Sequence, residues 1–326
     1  MKRKKIAIIP VFLPWMGCRN RCIYCNEHAV TGYDLLNYQV HDILDQLDNV
    51  VKEHLAGVRR EKKIQIAFFG GSFSNAPTPL QERFLKWANR YIKNGDVDSI
   101  RISTRPDGIT EEEIELFRHY HCESVELGVQ SFTDAVLAKN NRGHDSLVSI
   151  KAVKTLLSAG IETGVHLMTG LYGSSKELDD ASFKTGLSLN PHSMRLHPTL
   201  VLKDTPLEKL YLKGKYKPLE LREAVETLGK YILLSRSTQV KLNRLGLYIP
   251  HDLTASVIAG PYHPAIGDMA RQMANVLEVK ALLKENDQVI VDKRTYDGFK
   301  THKGFFDPYV KHEMETDRIK CFSGGE

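Results

Sequence analysis

Cysteine is scarce in this chain and odd in number, five among 326 residues. A disulfide scaffold is thereby excluded as the organising device, since a chain this long builds its core from apolar side chains. Long apolar runs are missing too. No stretch reaches the roughly 18 residues of a membrane-crossing helix, and no membrane partner is expected. Charge is nearly balanced, 45 Lys and Arg against 40 Asp and Glu, a net +5. That is not the one-signed profile of a dedicated nucleic-acid binder. Basic clusters do occur, at 2–5, at Arg59-Arg60 with Lys62-Lys63, and at Lys213, Lys215 and Lys217. Solvated faces are the ordinary explanation of such clusters. Internal repeats and low-complexity segments are absent. The basic start followed by an apolar run looks like an export signal. Pro10 and Pro14 interrupt it, though, and no small-residue cleavage site precedes Cys18. It reads instead as a first strand, and reduced thiols place the protein in the cytoplasm.

What is present is a concentration of those few cysteines. Gly17-Cys18-Arg19-Asn20-Arg21-Cys22-Ile23-Tyr24-Cys25 has the spacing C-x3-C-x2-C, just after the apolar run 6–13. Three thiolates on one loop can ligate three irons of a four-iron cluster and leave the fourth open to a ligand. The alternative is zinc held by the three cysteines and His28. Structural zinc more often uses paired C-x2-C knuckles, so the cluster is the expected reading. Cys122 and Cys321 stand alone and read as ordinary cysteines.

Apolar periodicity predicts helices over 42–55, 79–92, 146–158 and 178–189, with Thr110 capping another before Glu111-Glu112-Glu113. Strands are predicted over 64–69, 99–103, 124–128, 161–168 and 193–197. With 6–13, strand and helix alternate six times, which argues for parallel strands with crossover helices. Each strand runs into a polar or glycine-rich stretch. These are Gly70-Gly71-Ser72-Phe73, Thr104-Arg105-Pro106-Asp107, Val129-Gln130-Ser131, Thr169-Gly170-Leu171-Tyr172-Gly173 and Pro198-Thr199. Sites of α/β folds lie at the carboxyl ends of strands, so these stretches are expected to converge. Further on, helices are expected over 206–213, 218–236 and 264–284, and short strands over 238–242, 254–258 and 287–291. The tail 321–326 reads as frayed. Segment 259–265, with Tyr262 and His263, reads equally as a lid or a plain loop. The expected division is a core of residues 1–204 and an α/β extension of residues 205–326.

The cysteine spacing, with Tyr24 before the last thiol, resembles the signature of the radical S-adenosylmethionine (SAM) enzymes. Phe68-Phe69-Gly70-Gly71-Ser72-Phe73, Glu126-Leu127-Gly128-Val129-Gln130-Ser131, Asn141-Arg142-Gly143-His144 and His197-Pro198-Thr199-Leu200-Val201 carry it further. They resemble the radical SAM half of the Elongator catalytic subunit over about residues 6–220, without that subunit's acetyltransferase domain. The Gly-Val-Gln-Ser and Arg-x-His stretches also resemble oxygen-independent coproporphyrinogen oxidase.

The resemblance implies a partial (β/α)6 barrel of the TIM type, with a [4Fe-4S] cluster on Cys18, Cys22 and Cys25. It implies SAM on the open iron, cleaved reductively to methionine and a 5′-deoxyadenosyl radical. It also implies Tyr24 against the adenine, Gly70 and Gly71 at the methionine amino group, and Arg142 on the carboxylate. Gln130 would hydrogen-bond SAM, and Arg105 and His166 would line its nucleoside side. An external electron donor of flavodoxin or ferredoxin type is implied as well. A tRNA base is the first reading of the substrate, and a tetrapyrrole or other small molecule the second. A zinc-stabilised RNA-binding module without catalysis is the alternative of a different class.

Overall fold

A computed structural model describes residues 6–31, 40–57 and 62–322. The basic clusters at 2–5 and Arg59-Arg60, and tail residues 323–326, lie outside the described residues. Among the described residues no helix is long and apolar enough to cross a membrane.

The alternating apolar runs form six strands: β1 (Ile6–Phe12), β2 (Lys63–Phe69), β3 (Ser99–Thr104), β4 (Cys122–Gln130), β5 (Glu162–Thr169) and β6 (Ser193–Pro198). They pair in chain order, all parallel. A two-residue strand, β7 (Val201–Leu202), leaves this sheet, and β8 (Lys241–Leu245) returns to pair in parallel with β6. The expected six-stranded sheet therefore has a seventh strand. It remains a partial barrel, because β1 and β8 are the two ends of the strand order.

Period-two alternation divides the residues of each strand between two faces. Ile64, Ile66 and Phe68 of β2, Ile100 and Ile102 of β3, and Val125 and Leu127 of β4 pack into the main core. So do Val165 and Leu167 of β5 and Met194 and Leu196 of β6. Phe68 anchors this layer, its ring 5.0 Å from Phe73 and 5.9 Å from Phe84. Each such burial removes enough apolar surface to stabilise by about 1.5–3 kcal/mol.

Eight helices fall within this region or join it to the sheet: α1 (Glu27–Thr31), α2 (Val40–Gly57), α3 (Thr78–Lys93), α4 (Glu111–His119), α5 (Asp134–Lys139), α6 (Ser146–Ser158), α7 (Lys176–Ser188) and α8 (Pro206–Leu212). Side-chain caps fix the starts of α4, α6 and α7. Thr110 Oγ1 accepts from Glu113 N at 3.3 Å, Asp145 Oδ1 from Val148 N at 2.8 Å, and Ser175 Oγ from Leu178 N at 3.3 Å. Each cap satisfies an amide that the helix leaves unpaired.

After α8, α9 (Leu221–Ser235) packs against α10 (Ile266–Leu282), closely enough that a Cβ at Gly229 would stand 2.7 Å from Met273. The strand expected over 238–242 begins only at Lys241, because Thr238 is tied back to Ser235 O at the end of α9. The expected strand over 254–258 is corrected too. Residues His251–Ser256 form a 3-10 turn after Pro250, and β9 (Val257–Ala259) is the extended part, antiparallel to β7. One residue of the stretch expected to fray is in a strand. Cys321 is not frayed: β10 (Val289–Val291) pairs in parallel with β11 (Ile319–Cys321) across α11 (Lys293–Gly298) and α12 (Asp307–Glu315).

Candidate active site

The carboxyl ends of the strands surround a pocket of about 270 Å³. Its lining includes every residue that the resemblance assigned to the cluster or to SAM: Cys18, Cys22, Cys25, Tyr24, Gly70, Gly71, Arg105, Gln130, Arg142 and His166. Residues more than a hundred positions apart meet there because parallel strands deliver all their ends to one side.

Main-chain bonds hold the cysteine loop to the turn after β2. Leu13 N donates to Phe69 O at 2.7 Å, Trp15 N to Gly70 O at 2.9 Å, and Ser72 N to Met16 O at 2.7 Å. This explains Gly71 differently from the sequence argument. A Cβ there would lie 2.5 Å from Met16 O, so the absent side chain admits the cysteine loop. Gly70 has φ +91°, where glycine is favoured. On its other side the loop is tied by Asn141 Nδ2 to Arg21 O at 2.8 Å and by Asn26 Nδ2 to Lys203 O at 2.8 Å.

All three thiols are free. Burial, then the neighbouring Cys22, pushes the Cys18 thiol up to about 11. Burial and the Glu27 carboxylate push Cys25 up as well. Thiolates here therefore call for a cationic centre among them. Burial also raises Glu27 to about 7, and Cys25 Sγ lies 3.5 Å from its Oε1. His28 is exposed and does not line the pocket. Among the described residues no three His, Cys, Asp or Glu side chains are grouped to hold a single metal ion. The thiols line a hollow rather than converge on one point, which suits a body with several irons better than one zinc.

Arg142 is buried beside them. Its Nη1 lies 2.9 Å from Cys22 Sγ and 3.5 Å from the Tyr24 hydroxyl, and its Nη2 donates to Gly128 O. His144 Nε2 stands 3.3 Å from the same guanidinium. Burial, and then Arg142, lowers His144 to about 4, so the imidazole is neutral and can accept that bond. Arg105 is clamped on Asp107 by two bonds of 2.9 Å, and its Nη2 also donates to Arg142 O. Gln130 sits at φ +71°, uncommon for a side-chain-bearing residue. The β4–β5 register shifts between Gly128 and Gln130. Gln130 Oε1, Arg142 Nε and Arg105 Nη1 are buried without a partner. Buried polar atoms are rarely left so. These unspent groups beside three free thiols fit a polar, charged ligand held next to a cluster.

Among the lining residues that escaped the sequence reading as site residues are Trp15, Glu126, Arg195 and His197. The last three follow the strand alternation, Glu126 in phase with Gly128, and Arg195 and His197 in phase with each other. Glu126 Oε1 pairs with Arg101 Nη1 at 2.9 Å and Arg195 Nη2 at 2.8 Å. The rings of His166 and His197 meet edge to face, 4.3 Å between centroids.

A family model described as the radical SAM superfamily matches residues 13–182, just over half the chain. A second, described as Radical_SAM C-terminal domain, matches residues 191–275. The chain is 30% identical over 216 residues to the tRNA uridine(34) acetyltransferase of Methanocaldococcus infernus, covering 60% of this chain and 40% of that protein. It is 25% identical over 250 residues to Elongator complex protein 3 of Saccharomyces cerevisiae, covering 66% and 45%. The solved archaeal Elp3 of Methanocaldococcus infernus, with an N-terminal deletion, has a like fold. Its TM-score is 0.66 at 22% identity, covering 86% of this chain and 64% of that one. The chain thus spans about 40% of the length of the first curated relatives it matches.

Proposed function

The chain belongs to the radical SAM superfamily, and from that membership we propose that its pocket binds SAM and uses it to act on a base of tRNA. It is a radical SAM enzyme, and the cofactors of that superfamily are a [4Fe-4S] cluster and SAM. When bound, these supply a one-electron cleavage of the sulfonium that yields methionine and a 5′-deoxyadenosyl radical.

The observation that carries the reading is the meeting of three free thiols with unpartnered Arg142 Nε and Gln130 Oε1 in one pocket. Cys18, Cys22 and Cys25 would hold the cluster. Arg142 would take the methionine carboxylate, as a planar guanidinium does well, with His144 and Gly128 O fixing its plane. Gly70 and Gly71, which line the pocket at the end of β2, would meet the methionine amino group through their main chain. Gln130 would hydrogen-bond SAM, Tyr24 would lie against the adenine, and Arg105 would border the nucleoside. We give His166 to the substrate side, because its ring packs on His197.

The tRNA reading rests on the named activity of the longer relatives and on one feature of the pocket's lining. The exposed Arg21 guanidinium lies over the ring of Trp15, which lines the pocket, at 4.4 Å. An arginine plane on an aromatic ring suits unstacked bases. The open barrel lets one base enter while the rest of a large molecule stays outside. Acetyl transfer is not carried over from the relatives. A cytoplasmic location, an external electron donor of flavodoxin or ferredoxin type, and the division into residues 1–204 and 205–326 belong to this reading.

The test is anaerobic iron and sulfide analysis of the reconstituted protein, followed by SAM and dithionite. About four irons per chain and release of 5′-deoxyadenosine, both lost in Cys22→Ala, are expected. One zinc per chain, with neither iron nor SAM cleavage, would overturn the reading. Affinity for tRNA is expected to fall steeply with salt.

A further inference from the structure

The barrel has a second hollow, at the end away from the thiols. The amino ends of the strands surround a cavity of about 1210 Å³. Glu126 and Arg195 line both this cavity and the pocket, and so stand between the two.

Its two walls differ. Along β2, β3 and β4 the lining charges are paired. Lys63 bonds to Glu123, and Asp98 accepts from Ile64 N at 2.6 Å. Arg101 donates to Gln65 at 3.0 Å and Glu126 at 2.9 Å, and has Glu162 at 3.6 Å. The wall of β6 and β8 is different. Arg195 has Glu126 at 2.8 Å, a carboxylate already shared with Arg101. Among the described residues Arg244 and Lys241 have no carboxylate within ion-pair distance. Arg244 has the ring of Tyr248 at 5.8 Å. Three guanidinium groups thus share Glu126 and Glu162, and Lys241 adds a further positive charge.

A bulge builds this surplus. Ser193 pairs with Lys241 and Met194 with Leu242, but Arg195 pairs with Arg244, so Asn243 is the extra residue. Without it Arg244 would stand opposite Leu196 and turn to the helices. With it Arg244 turns to the side of Arg195. The two arginines sit on strands about 4.8 Å apart, and like charges placed opposite each other repel. Burial lowers Arg195 from its ordinary value, and Arg244 and Arg101 act the same way against Glu126. Arg195 Nε, like His166 Nε2 and His197 Nε2 toward the pocket, is buried without a partner.

We propose that Arg195, Arg244 and Lys241 hold the phosphate of a small phosphorylated molecule in this cavity, a site separate from the pocket at the carboxyl ends. The anion would cancel the repulsion and give Arg195 Nε an acceptor. A phosphate presents oxygens on three sides, which suits three cationic side chains better than the two oxygens of a carboxylate. His192 lines the same wall. Its Nδ1 accepts from Thr163 N at 3.0 Å, so its other ring nitrogen is a donor. Depth favours a small molecule over a nucleic-acid strand, since Arg195 lies inside the barrel with its side chain 21% exposed. The cavity is far larger than one phosphate and has room for the rest of the molecule.

The experiment titrates the reconstituted full-length protein with ribose 5-phosphate by calorimetry. SAM is present throughout, so that the Arg142 side is filled. A single saturable site is expected. Ribose should give no binding, and citrate should bind about tenfold more weakly than ribose 5-phosphate. Arg244→Gln and Lys241→Ala should each weaken ribose 5-phosphate about tenfold, the scale of a lost bond to a charged group, at unchanged iron content. Arg244→Lys should recover part of the loss. No binding of ribose 5-phosphate, equal binding of ribose or citrate, or variants that bind like the parent would overturn the proposal. So would displacement by excess SAM, which would put the phosphate in the pocket, or by tRNA, which would make the wall a nucleic-acid surface. The proposal does not depend on the cluster: binding lost in Arg244→Gln, without SAM cleavage by the parent protein, would sink the radical reading alone.

Discussion

The two faces of the main sheet are made from alternate letters of the same strands, yet they differ in kind. Toward the helices β4 presents Val125 and Leu127, and β6 presents Met194 and Leu196, all within the core. Toward the barrel axis the same strands present Glu126 and Gly128, then Arg195 and His197. The outer face is held by burial of apolar area. The inner face is held by ion pairs and carries the unmet nitrogens. Fold and chemistry are therefore separable by parity along a strand: a change at one position threatens stability, and a change at the next threatens the site.

Glu126 is the place to break that division. It is an inner-face residue that also holds structure, with side chains 6% and 7% exposed in its pair with Arg101. Glu126→Ala would leave Arg101 and Arg195 buried without it. A loss of about 3–5 kcal/mol is expected in chemical unfolding, and an unchanged midpoint would deny the network any structural weight. Leu127→Ala, one residue away, should cost about 2–5 kcal/mol through lost burial and a cavity. The part that stays folded should keep its full iron content. If that variant instead lost iron at temperatures where it is folded, the faces would not be separable.

Acid should act through the inner face. His166 is held neutral by burial, its folded value near 3 against an ordinary 6.5. The unfolded chain then binds more protons between those values, so stability present above pH 6.5 is lost as pH falls. At pH 5.5 the loss is about 1.4 kcal/mol for such a histidine. Urea unfolding at the two pH values measures it, and His166→Asn should flatten the slope. The smallest effect belongs to the helices outside the sheet. Thr110→Ala removes the cap on Glu113 N and should cost about 1 kcal/mol, with no change at the pocket.

Much of this was legible in the chain. The six strands and their crossover helices follow from apolar periodicity, and the convergence of Cys22, Gly71, Gln130 and Arg142 follows from parallel topology alone. A strand was expected over 238–242, but its place as the seventh of the main sheet was not, because Lys241, Asn243 and Arg244 give it no apolar alternation. It sits at the edge of an open barrel, where one side needs no burial. The small β10–β11 pair was half missed, since three-residue strands lie below any periodic signal. Glu126 stood in phase with Gly128 on β4, and Arg195 and His197 stood in phase with each other on β6. Nothing in a sequence says which face of a strand looks inward, and a charged residue on a buried strand reads as an exposed one until its partner is seen. Gly71 was marked for its nearness to a ligand, and the structure adds that a side chain there would strike Met16 main chain. Such a contact has no signature of its own.

The loop that bears the thiols is fastened to its neighbours largely through peptide groups, at Leu13, Trp15, Met16 and Arg21. Main chain is the same whatever letter is written on it. Arg19 and Arg21, both exposed between the cysteines, can therefore be exchanged without moving Cys18, Cys22 or Cys25. A lineage, or an engineer, can redraw what the mouth of this pocket greets while the centre beneath it stays where it is.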